Sequence, residues 1–100
     1  MKIPRKLRVG RNWYSVDVVD SMRSKGTMGL INYAARRIEI GRKCTLTGVS
    51  YKREVLHDTF WHELVHAILE DMGQDGLNRN EKFVTGFANR LTKAVDTASF

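Results

Sequence analysis

The pattern of apolar and polar positions divides the chain into a strand-rich first half and a helical second half. Residues 7–9 and 13–19 favour strand, and Gly10-Arg11-Asn12 between them supplies the turn of a hairpin. In the second run Tyr14, Val16 and Val18 alternate with Trp13, Ser15, Asp17 and Val19, so the even-numbered face is the one expected to be buried. Residues 20–28 are polar and end near Gly26 and Gly29. Leu30, Asn32 and Ala34, then Arg37-Ile38-Glu39-Ile40, suggest two further short strands, and Gly41 and Gly48 bracket a loop.

From Ser50, read as an N-cap, a 3.6-residue rhythm runs through Leu56, Phe60, Leu64, Val65, Ile68, Leu69 and Met72, and Gly73 stands where a helix C′ glycine belongs. A second helix is expected after Asn78, burying Phe83, Val84, Phe87, Leu91 and Val95. The predicted class is therefore α+β: a small, mostly antiparallel sheet of three to four strands from the N-terminal half, packed on two helices.

One hundred residues without repeat, linker or low-complexity tract predict a single domain over residues 1–100. With 42% hydrophobic and 28% charged residues the chain has a globular composition. No apolar run approaches the roughly 20 residues that span a bilayer, which excludes an integral membrane protein of the helical kind. The basic start of the chain lacks the continuous apolar stretch of a signal peptide. A single cysteine, Cys44, permits no intrachain disulfide, so a cytoplasmic location is expected and His, Asp and Glu are the natural ligands of any metal.

The net charge of +6 is unevenly spread: residues 1–55 carry 13 basic and 4 acidic groups, residues 56–100 carry 4 and 7. A basic first half could dock on nucleic acid or an acidic protein. Its cations are dispersed, without a nucleic-acid-binding signature, so a solvated sheet surface is the plainer reading.

His62-Glu63-Leu64-Val65-His66 is a HExxH pattern inside the strongest helix of the chain. Residues i and i+4 lie about 40° apart around a helix and about 6 Å apart along it, so both imidazoles can close on one ion. Zinc, one per chain, is the natural occupant. Glu63 falls beside the ion, placed to take a proton from its water. A shuffle of 3 His and 5 Glu over 100 residues yields this pattern roughly once in a few hundred chains. Chance is a poor explanation.

A catalytic zinc usually has three protein ligands. No histidine follows His66; Glu70 and Asp71 lie on the same helix, where they cannot join both histidines on one ion, and Asp75 and Glu81 come later. Glu81, at the start of the second helix, is the better third ligand. Asn78-Arg79-Asn80-Glu81 also reads as a capping box, so ligand and cap both stand as roles for Glu81. His57 would turn away from the metal face and is assigned to packing or solvent.

These residues resemble the gluzincin metallopeptidases, in which HExxH on one helix is completed by a glutamate, often written Asn-Glu, on a following helix; His62, Glu63 and His66 match the first element and Asn80-Glu81 the second. The likeness is nearest to minigluzincins and to short metallopeptidases of phages and mobile elements, including the ImmA/IrrE type. It implies a zincin-like fold and a zinc-dependent peptidase acting on a protein or peptide, with His62, His66 and Glu81 on zinc and Glu63 as general base. It also implies an edge strand that lays out the substrate, here residues 36–40 with Arg36 and Ile38. Thr85 stands where many gluzincins carry an acidic residue supporting a ligand histidine. A metzincin would need glycine at Leu69 and histidine at Met72, and a SprT-like protease a later histidine. Tyr33, Tyr51 and Arg36 are candidates to stabilise an oxyanion. The rival readings are a non-catalytic, zinc-containing basic module that binds nucleic acid or an acidic partner, and a latent peptidase whose cleft is covered by a terminal segment.

Overall fold

The computed structural model describes residues 2–100. Strands β1 (Lys6–Val9), β2 (Asn12–Val19), β3 (Gly29–Asn32) and β4 (Arg37–Gly41) are followed by helices α1 (Arg53–Asp71), α2 (Asp75–Asn78) and α3 (Glu81–Thr97). The architecture is the α+β class expected, with the sheet drawn from the N-terminal half and the HExxH segment on α1.

The strands lie in the order β1-β2-β4-β3. β1 and β2 form the hairpin, antiparallel, with Val9 opposite Asn12, so the turn is Gly10-Arg11 and Asn12 already belongs to the strand. Gly10 has φ +60, the left-handed conformation that glycine adopts without steric cost. β4 then pairs parallel with β2 and antiparallel with β3. The order follows from the chain crossing past β2 through residues 20–28 and returning by a hairpin, which leaves β3 outside and β4 inside.

Burial on β2 follows the alternation: Tyr14 and Val16 are buried, while Trp13 is exposed. They meet Val9, Ile38, Ile40 and, from α1, Phe60, Leu64 and Ala67 in one core. A second core joins α1 to α3 through Val65, Leu69, Val84 and Ala88. α1 is thus the middle layer, covered on one side by the sheet and on another by α3, and its third face carries His62 and His66.

This arrangement corrects several details. Ile68, Met72, Phe87 and Val95 are exposed, because their faces have no neighbouring layer; the buried line of α3 is Val84, Ala88 and Thr92. α1 begins after Lys52, with no side-chain cap, since Ser50 is held in a bridge to Lys43. Residues 36–40 are not an edge: β4 is paired on both sides, Ile38 is wholly buried, and Arg36 sits in the β3–β4 turn with φ +52. Neither residue can present a free strand edge to a peptide. Gly73, with φ +70 after the Met72 C-cap, is the helix stop its position implied.

Candidate metal centre

Two helices bring the site together. On α1, His62 and His66 are one turn apart, with ring centroids 4.9 Å from each other. Across from them α3 opens at Glu81. Its cap is Asn80, whose side-chain oxygen accepts a hydrogen bond from the Phe83 amide at 3.1 Å. The capping box from Asn78 to Glu81 is therefore not formed, and Glu81, as the first helical residue, has its carboxylate free to face the histidines.

Both oxygens of that carboxylate are engaged. His62 Nε2 lies 3.1 Å from Oε2 and His66 Nε2 lies 2.9 Å from Oε1. Ligands of a tetrahedral zinc with bonds of about 2.0–2.1 Å stand roughly 3.3 Å from one another. Each histidine thus stands from the largely exposed Glu81 at nearly the spacing of two zinc ligands. The donor atoms of His62, Glu63 and His66 lie within 4.8 Å of one another, a group able to hold a metal ion.

Glu63 is the other unusual group of the site. The residue is buried, and among the described residues Oε2 has no hydrogen-bond partner. An unpaired buried carboxylate is costly, and the molecule lowers the cost by keeping the proton: burial, reinforced by Glu81 and opposed by His66, raises the carboxyl to about 7. Burial also lowers the His62 pKa, against the pull of Glu81, which favours the neutral imidazole that binds metals.

His66 is held from behind. Its Nδ1 lies 2.6 Å from Asn78 Oδ1, and Asn78 Nδ2 donates to the Tyr33 hydroxyl at 3.1 Å. Nδ1–H donating to Asn78 would leave Nε2, which here faces Glu81 Oε1, as the atom that binds a metal. α2, a single turn with no buried residue, carries Asn78 to this position. Tyr33, in the β3–β4 turn, links the sheet to the same chain of hydrogen bonds. Its phenol is raised above its ordinary value by burial and the nearby Glu63, Glu70 and Glu81, partly offset by Asn78, so it remains neutral. Asn78 has no periodic signal in the sequence; a polar residue in a turn shows its role only once the turn is placed.

The centre borders a cleft of about 550 Å³ between α1 and the entry to β3, lined by Thr27, Met28, Gly29, Thr59, His62 and Glu63. Gly29 makes the close approach: a methyl there would stand 2.6 Å from Thr59 Cγ2 and 3.3 Å from Glu63 Cγ. A glycine inside a strand is a sequence signal for such an approach.

The other residues singled out lie elsewhere. His57 is buried at the far end of α1, with Nδ1 3.5 Å from Asp96 Oδ2. Tyr51 neighbours Cys44, a free thiol lowered to about 7 chiefly by the Thr47 hydroxyl. No helix among the described residues is long and apolar enough to cross a membrane. No family model, curated protein or solved structure matches the chain. The chemistry of the centre therefore rests on its own geometry.

Proposed function

We propose that the chain is a zinc-dependent peptidase of gluzincin-like design, with one zinc held by His62, His66 and Glu81. The observation that carries the reading is the Glu81 carboxylate spanning the Nε2 atoms of both histidines, beside the buried Glu63, at the edge of an open cleft. Zinc bound there would polarise a carbonyl oxygen and acidify a water near neutral pH.

The Glu63 carboxylate would accept a proton from the water that attacks the scissile carbonyl carbon. The same carboxyl returns the proton to the amine nitrogen as the C–N bond breaks. Tyr33 is the oxyanion donor, since of the three candidates only its hydroxyl is tied, through Asn78, to a ligand histidine. The substrate adds as a strand to β3, the edge of the sheet on the cleft side, through main-chain hydrogen bonds.

The test is zinc-loaded protein incubated with an unstructured protein substrate, wild type against Glu63→Gln. Loss of proteolysis by about 10²–10⁴-fold with metal affinity retained is the expected result. Equal proteolysis by the two proteins would overturn the mechanism.

A further inference from the structure

The cations of the first half are not equivalent once the sheet is formed. On the sheet face turned away from the helices, Arg37 meets Asp17 at 3.0 Å and Glu39 at 3.8 Å, and in the following loop Arg42 meets Asp20 at 2.8 Å. That end of the face is neutralised by its own carboxylates. The other end is not: Lys2, Arg5, Lys6, Arg8 and Arg11 are all exposed, no acidic residue interrupts residues 2–12, and none of the five makes an ion pair among the described residues.

The same end presents an aromatic ring. Trp13 lies directly opposite Arg8 on the neighbouring strand, Lys6 Nζ sits 5.4 Å from the ring centroid, and the residue remains 57% exposed. A tryptophan left in water on a strand contributes little to the core, and Lys6 and Arg8 line its β1 side, while the Asp71 carboxylate packs against Gly10 in the adjoining turn. Lys6 and Arg8 are two residues apart on an extended strand, about 6.8 Å, a spacing suited to successive phosphates of an extended single strand. An acidic peptide would satisfy the charges but has no flat base to cover the indole.

We infer that this face, formed by β1 and the start of β2, binds single-stranded nucleic acid, with Trp13 stacking on a base and Arg5, Lys6, Arg8 and Arg11 on the phosphates. The site lies outside the metal centre and does not depend on the peptidase reading.

The experiment is fluorescence anisotropy of a labelled oligothymidylate of about 12 nucleotides, titrated with the full chain from about 50 to 200 mM salt. Binding should weaken steeply with salt, with a slope of about −0.7 for each phosphate neutralised. Trp13→Ala should weaken it about tenfold or more. Lys6→Gln with Arg8→Gln should flatten the slope by about 1.4, while Arg37→Gln, at the neutralised end of the same face, should leave it unchanged. These residues are exposed and outside the core, so the variants remain folded. No binding at the lowest salt, equal binding by wild type and Trp13→Ala, or displacement by polyglutamate as effective as by unlabelled oligothymidylate would each overturn the inference.

Discussion

Two histidine–carboxylate arrangements join α1 to α3, and they do different work. At one end of α1, His57 meets Asp96 in a single 3.5 Å contact with the imidazole buried. Two turns along, His62 and His66 converge on the two oxygens of Glu81 at 3.1 and 2.9 Å beside a cleft. The residue types are the same. One arrangement ties two helices together; the other brings three donors toward one point, beside a buried carboxyl whose Oε2 has no partner among the described residues and next to an open cleft. Convergence and access, rather than the presence of histidine and carboxylate, separate a candidate metal centre from a packing contact.

Metal titration of variants sharpens that contrast. His66→Ala removes a donor and should cost more than the roughly 100-fold at the upper end of what outer partners cost in metal affinity; a chelator-competition measurement reads it.

The unpaired carboxyl should appear in the pH dependence of the metal-free protein. The Glu63 pKa rises from 4.5 when unfolded to about 7 when folded, so the folded chain keeps a proton that the unfolded chain has lost. Its contribution to stability is full below about 4.5 and declines as pH rises through about 7, a loss of about 3 kcal/mol. His62 runs the other way: its folded pKa is lowered, and its contribution is lost as pH falls below 6.5. Denaturant unfolding of wild type against Glu63→Gln, across pH 4.5 to 7, isolates the first effect, and parallel profiles would contradict it.

Asn78→Leu should weaken metal binding about tenfold by freeing the His66 ring, and Asn78→Asp, which keeps the acceptor oxygen, should restore it. Affinity that is indifferent to both changes would remove Asn78 from the account. His57→Ala should leave metal affinity unchanged and cost about 1–3 kcal/mol of stability, through a lost contact and a small cavity. A fall in affinity with this variant would collapse the distinction between the two contacts.

Much of this contrast is legible in the sequence, for local reasons. The i, i+4 spacing of His62 and His66 needs only a helix, and the rhythm around Phe60 and Leu64 supplies one. The approach of Glu81 needs only a second helix that folds back on the first. Legibility ends where the answer depends on which layer covers which face. Periodicity puts Ile68 and Phe87 on apolar stripes, but no layer reaches them. It finds the strand at β4 but cannot place it between β2 and β3, because a parallel pairing is made between distant segments and has no turn to announce it. Asn78 and Tyr33, 45 residues apart, meet only through that topology.

The most direct test of the central claim is the zinc content of the dialysed protein by elemental analysis, for wild type and for His66→Ala and Glu81→Ala. The account predicts one zinc per wild-type chain and a marked loss in both variants. A wild type that takes up no zinc, or variants that hold it as the wild type does, would contradict it.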